Sequence, residues 1–239
     1  MKIETDTHCH TIASTHAYST ILEMATYAAQ KGLSAIAITD HGPSLPDGPH
    51  QWHFGNLRSL PRTINGVLIL RGAEANIMDY EGNLDISPNY QTELDWIIAS
   101  FHEPCCPPAT IEEHTKAWMK VARNPNVDVL GHSGSSHYEF DVDKVVQEAA
   151  KQGKLIEINN HSFVARPGTT ENCLKIALAC KKYKAPIVVS SDAHNCFDVG
   201  DFDTAVKMLT EIVFPTDLII NLNLERLRGF IQKKRNRKF

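Results

Sequence analysis

An alternation of two periods constrains this chain more than any other feature. Seven short runs read as β-strands: "IETDTH", "LSAIAIT", "GVLILRG", "LDWIIAS", "VDVLGH", "KLIEIN" and "PIVVSS". Helical patterns lie between several of them. In "STILEMATYAAQKG", Ile21, Ala25 and Ala28 share one face, Ser19 or Thr20 can cap the start, and Gly32 ends the helix. "VDKVVQEAAKQG" and "NCLKIALACKKY" behave likewise, "DFDTAVKMLTEI" follows the last strand, and "LERLRGFIQKK" closes the chain. Such alternation predicts parallel βα units. Seven strands are one short of a standard (β/α)8 barrel, and a doubly wound open sheet would alternate in the same way. Residues 43–62, rich in Pro and Gly, and residues 78–93, with Gly82 and Pro88, read as long irregular loops over a site. No linker, low-complexity tract or repeat divides the 239 residues, so one domain spanning 1–239 is expected.

The strand runs share a second property. Each ends in polar residues, most of them able to bind metal. His8 and His10 end the first, Asp40 and His41 the second, Glu74 the third, His102 the fourth and His132 the fifth. The sixth ends "EINNHSF", and the seventh ends with Asp192 and His194. Ligands of parallel α/β folds bind at the carboxyl ends of the strands, so these segments should converge on one place. His8 and His10 are two apart and face one side of a strand, about 6.5–7 Å between Cα atoms. Cys9, between them, should face the helices. Asp192 and His194 repeat the spacing. With His16, nine imidazoles and carboxylates are candidates: His8, His10, His16, His41, Glu74, His102, His132, Asp192 and His194. Such donors suit zinc, manganese or iron. A single tetrahedral catalytic ion takes three protein ligands, so nine point to two or three ions. Asp40 is expected to orient a ligand. His50, His53, His114, His137 and His161 read as ordinary hydrogen-bonded side chains.

Composition narrows the partners. A formal net charge of −4 argues against nucleic-acid binding driven by overall charge, and the basic tail "KKRNRKF" reads as a solvated terminus. No apolar run is long enough for a transmembrane helix, and "MKIETDTHCH" lacks the apolar segment of a secretory signal. A cytoplasmic location is expected. The six cysteines show no CxxC spacing and read as reduced thiols.

"DTHCHT" resembles the D-x-H-x-H opening of the PHP (polymerase and histidinol phosphatase) superfamily. "AITDHG", "GAEAN", "FHEP", "GHSG" and "SSDAH" match its later motifs in order, and "ASTHAYST", "PHQWHF", "ILRGAEANI" and "EINN" look like its YcdX-like stand-alone phosphatases. The resemblance covers essentially the whole chain. It implies a distorted (β/α)7 TIM-like barrel and three divalent ions, zinc first, with manganese or iron in its place. It implies His8, His10, Glu74 and Asp192 around one ion. Glu74, His102 and His132 would hold a second, with Glu74 bridging, and His16, His41 and His194 a third. Ser133 stands where a proline is expected, and His161 where a small polar residue is usual.

The implied reaction is hydrolysis of a small phosphate monoester by a metal-bound hydroxide, with Glu74, Asp192 and His194 in catalytic roles. Arg166, in "FVARPG", is the candidate for gripping phosphate, and Arg71 should point away from Glu74 by strand alternation. A homo-oligomer is compatible with the sequence; no stable nucleic-acid partner and no membrane are expected. Three rivals share parts of this pattern. An amidohydrolase has H-x-H and the final Asp but commonly needs a bridging lysine at a middle strand end, and no strand end offers one. The second rival is a PHP-type nuclease or phosphodiesterase, and the third a non-catalytic metal-binding protein.

Overall fold

The computed structural model describes residues 1–165 and 168–235, so Arg166 lies outside the described residues. Eight strands form one sheet: β1 (Thr5–Cys9), β2 (Ala35–Ile38), β3 (Thr63–Ile64), β4 (Val67–Asn76), β5 (Trp96–Ser100), β6 (Val129–Leu130), β7 (Leu155–Asn159) and β8 (Ile187–Ser190). Seven run parallel in the order β1-β2-β4-β5-β6-β7-β8, as the alternation requires. The eighth, β3, pairs antiparallel with β4 across Asn65–Gly66, whose positive φ values of 50° and 82° form a tight hairpin turn.

Helices α1 (Ile21–Gln30), α2 (Gln51–Asn56), α3 (Pro88–Glu93), α4 (Ile111–Arg123), α5 (Val142–Lys151), α6 (Ser162–Ala165), α7 (Thr169–Tyr183), α8 (Asp203–Glu211) and α9 (Leu224–Arg235) fill the connections. Thr20 caps α1 in a capping box with Glu23. The two stretches read as irregular loops carry structure. Residues 43–62 contain α2, capped by the His50 side chain accepting the Trp52 N–H, and residues 78–93 contain α3, started by Pro88. Helix α4 lies outside the segments read as helical, although Thr110 and Glu113 form a capping box at its start.

Strand alternation divides the core into two layers. Ala35, Ala37, Leu68, Leu70, Trp96, Ile98, Val129, Leu155 and Val188 fill the barrel interior, and Leu227 and Ile231 of α9 plug its lower end. The intervening Ile36, Ile38, Ile69, Ile97, Ile156, Ile158 and Val189 pack outward under the helices, where Cys9 also lies. Period two then carries the polar residues inward: Glu74 continues the Leu68–Leu70 row, Glu157 follows Leu155, and Ser190 follows Val188. The interior thus turns from apolar to polar toward the carboxyl ends of the strands.

The barrel is nearly closed between β1 and β8, where side chains replace part of the strand ladder. Asn221 is fully buried; its Oδ1 accepts the Val189 N–H at 2.9 Å, and its Nδ2 donates to Thr5 O and Val189 O at 2.8 and 2.6 Å. Higher up, Asp6 accepts from the Ser191 N–H and hydroxyl and from the Gly200 N–H, and His10 N donates to Ala193 O at 2.9 Å. Among the described residues no helix is long and apolar enough to cross a membrane.

Asn221→Ala strands one buried donor and two acceptors at the seam. It should lower stability by about 3–5 kcal/mol and the unfolding temperature by roughly 10 °C. A change below about 2 °C in a thermal melt would show that the seam does not depend on this amide.

Candidate metal centre

At the carboxyl ends of the strands, all nine candidate side chains come together. His8 Nε2 lies 3.4 Å from Glu74 Oε2 and 3.5 Å from Asp192 Oδ1, and His10 Nε2 lies 3.5 and 3.1 Å from the same oxygens. His132 Nε2 is 3.3 Å from both Glu74 Oε1 and Asp192 Oδ2, and His102 Nε2 is 3.6 Å from Glu74 Oε1. His41 Nδ1 lies 2.8 Å from Glu74 Oε2, while its Nε2 is 3.4 Å from His16 Nε2. His16 Nε2 in turn is 2.9 Å from His194 Nε2. An ion with tetrahedral ligands at 2.0–2.1 Å spaces its donor atoms about 3.3 Å apart, so most of these separations match those around a shared cation.

Several of the buried donor atoms also lack hydrogen-bond partners. His8 Nε2, both ring nitrogens of His10, His41 Nδ1, both Glu74 oxygens and Asp192 Oδ1 are buried without a hydrogen-bond partner. Each such atom costs about 1–3 kcal/mol when left unsatisfied. Divalent cations would satisfy them together, so the residue set fits the implied metals.

A ring of outer groups sets the tautomers. His8 Nδ1–H donates to Glu157 Oε1 at 2.6 Å, and His102 Nδ1–H to Asn76 Oδ1 at 2.6 Å. His194 Nδ1–H donates to Asp192 O at 2.9 Å, and half-exposed His16 bonds through Nδ1 to Asp47. In each case Nε2 is left to face the cluster, the arrangement that orients metal-binding histidines. Glu157 also accepts from the Ser190 hydroxyl and the His132 N–H. Sequence reasoning passed over it, though a carboxylate in the buried run "LIEIN" needs a partner. The Asp40 side chain hydrogen-bonds none of the nine candidates, although its carbonyl accepts the Glu74 N–H at 3.1 Å. It accepts from the Thr11 N–H and from the Thr11 and Ser14 hydroxyls, and pairs with His53, so it shapes the loop between His10 and His16. His132 and Asp192 have positive φ values of 48° and 57°, a costly conformation for residues other than glycine.

Electrostatics follow from burial and crowding. Burial alone would raise Glu74 and Asp192, but the surrounding histidines, His8 foremost, hold both carboxyls well below their usual range. Burial would also depress His8 and His41. Glu157, Asp192 and Glu74 outweigh it at His8, which lies well above the ordinary histidine value, and Glu74 raises His41. Burial and the neighbouring His41 push His10 down to about 3.

The other histidines divide. His114 accepts from the Ala109 N–H and donates to Glu139 O, a satisfied core residue, and His137 pairs with Glu103. His161 is exposed and, with Ser162 and Leu45, lines a cavity of about 380 Å³ over the cluster. The ordinary reading of His161 therefore fails on position: it stands at the mouth of the site, its ring 6.1 Å from that of His194. Arg71 turns away to Leu60 O, as alternation requires.

Comparison with known proteins follows the same lines. A PHP domain family model matches residues 6–161. A probable phosphatase of Acetivibrio thermocellus is 48% identical over 237 residues, covering 99% of this chain and 98% of its own. A probable phosphatase of Shewanella piezotolerans is 45% identical over 235 residues, covering 98% and 95%. Among solved structures, histidinol phosphate phosphatase of Lactococcus lactis, complexed with zinc, L-histidinol and phosphate, shares the fold with a TM-score of 0.60 at 16% identity, covering 90% of this chain and 95% of its own.

Raised pKa values at His8 and His41 mean that metal must displace protons from these rings. Both rings bind protons more tightly than an ordinary histidine, so metal and protons compete for the site. Zinc uptake should release protons and tighten as pH rises from 6 to 8, about tenfold per unit for each proton displaced. Calorimetry in buffers of different ionisation heats measures the release. Uptake without proton release, at constant affinity, would contradict the assignment.

Proposed function

The chain belongs to the PHP domain family, and from that premise we propose that it is a metal-dependent phosphatase whose three-ion centre hydrolyses small phosphate monoesters. The observation that carries this reading is the set of buried, unpartnered nitrogens and oxygens facing one another beneath the cavity. His8, His10, Glu74 and Asp192 would hold one ion, Glu74, His102 and His132 a second, and His16, His41 and His194 a third. Bound ions would supply Lewis acidity, lowering the pKa of water and neutralising charge on the phosphoryl group. Zinc in the lactococcal phosphatase supports zinc as the first candidate.

The chain's own residues do the positioning. Glu74 turns one oxygen toward His102 and His132 and the other toward His8, His10 and His41, so its carboxylate would be the group shared between two ions. Asp192 likewise faces His8 and His10 with one oxygen and His132 with the other. Glu157 keeps His8 in the tautomer that presents Nε2. The cavity of about 380 Å³ suits a small ester, its phosphoryl end over the histidines and its alcohol passing His161. Among the described residues no lysine lines this cavity, which disfavours the lysine-bridged amidohydrolase. The working domain extends beyond residue 161, because Asp192 and His194 come from the end of β8.

A phosphate-release screen over small metabolites, with metals quantified in the same samples, tests the activity and names the substrate. Two variants separate the ions' roles. Glu74→Ala should disturb two sites and nearly abolish turnover. His16→Ala should lose mainly the third ion and about 10²–10³ in rate, comparable to deleting one electrostatic contact to a transition state. Normal metal content and rate in Glu74→Ala would refute the bridge, and wild-type behaviour in His16→Ala would remove His16 from the centre.

A further inference from the structure

The end of the barrel opposite the histidines carries a second cavity, of about 550 Å³. It lies where the α4–β6, α5–β7 and α7–β8 connections meet α9, at the amino ends of the strands. Its walls combine cations with apolar surface: Arg123, Lys154, Lys233 and Lys234 on one hand, Phe230 and Pro186 on the other.

Two of the cations are placed unusually. Lys154 is buried, with 3% exposure, and its ammonium donates to two carbonyls, Asn124 O at 2.5 Å and Val127 O at 2.7 Å. Lys234, from α9, donates to the same Val127 oxygen. Two ammonium groups thus share one acceptor. The carboxylate beside them, Asp128, is divided between Lys234 at 2.8 Å and Arg235 at 2.6 Å, and also accepts the Ile97 N–H. Arg123 is matched by Glu148 at 2.7 Å. Lys154 receives no carboxylate oxygen in this network, and exposed Lys233 adds charge at the rim. Burial, then the charge of Lys234, pushes Lys154 down to about 7. A buried cation beside like charges is costly unless an anion joins it, and here the cations border a space large enough to admit one.

We propose that this cavity is a binding site for a phosphate group carried on a compact apolar moiety, separate from the histidine centre. The cations would hold the phosphate, and Phe230 with Pro186 would cover the apolar part. Such a ligand would tie α9, the plug of the barrel's lower end, to the α4–β6 and α5–β7 connections. Occupancy should therefore stabilise the fold.

The test measures unfolding temperature of the full-length, metal-loaded protein with phenylphosphonate, whose P–C bond resists hydrolysis, and separately with inorganic phosphate. At a ligand concentration about ten times the dissociation constant the wild-type rise should be about 3–5 °C. Lys154→Met and Lys233→Ala should each lose most of that rise while aryl phosphate turnover stays within about twofold of wild type. General salt effects and binding at the histidine centre act equally on all three proteins, so the difference between them is the signal. Phenylphosphonate should act at a several-fold lower concentration than inorganic phosphate. An equal rise in wild type and both variants would overturn the site, and equal potency of the two anions would overturn the apolar half of the ligand. If Lys154→Met does not fold, the exposed Lys233→Ala carries the comparison.

Discussion

One carboxylate organises the upper half of this barrel. Glu74 is fully buried, and its two oxygens lie within 3.6 Å of ring nitrogens from five histidines on four different strand ends. In an apolar core such a group would be expelled or protonated. Here the histidines hold its carboxyl well below the usual range, and it raises His41 in return, while Glu157 and Asp192 lead it in raising His8. The cluster balances its charge yet leaves several buried donor atoms of His8, His10, His41, Glu74 and Asp192 without hydrogen bonds, a state that a protein sustains where cations complete it.

Holding that cluster makes demands elsewhere. His132 and Asp192 occupy left-handed backbone positions, and the seam between β1 and β8 relies on the side chains of Asn221 and Asp6. The seam is where His8 and His10 on one side meet Asp192 and His194 on the other. The apolar lower layer, closed by α9, is the rigid base on which this strained rim stands. Stability and function are thus separated along the barrel axis, with packing below and chemistry above.

Much of this was legible in the sequence because two simple periods carried it. Alternation of apolar runs with helical patterns gave the seven parallel strands, and the residues ending those runs gave the nine converging side chains. Period two placed Cys9 outward and Arg71 away from Glu74. Less visible were features fixed by tertiary contact. Glu157 looks like one more strand residue until His8 and His132 are seen to bond to it. Asp40 ends its strand as the candidates do, yet its side chain serves a loop. Helices α2 and α3 are each six residues long, too short for periodicity to register. The short strand β3 is signalled only by Asn65–Gly66. His161 has no local mark distinguishing a core histidine from one at the mouth of a cavity.

The central claim is that nine side chains assemble one three-ion centre. Elemental analysis of gently purified protein, scaled against its phosphate-releasing activity, addresses it directly. The account predicts close to three transition-metal ions per chain in fully active protein, with activity falling as ions are withdrawn and returning as they are restored. Full activity with a single ion per chain would contradict it.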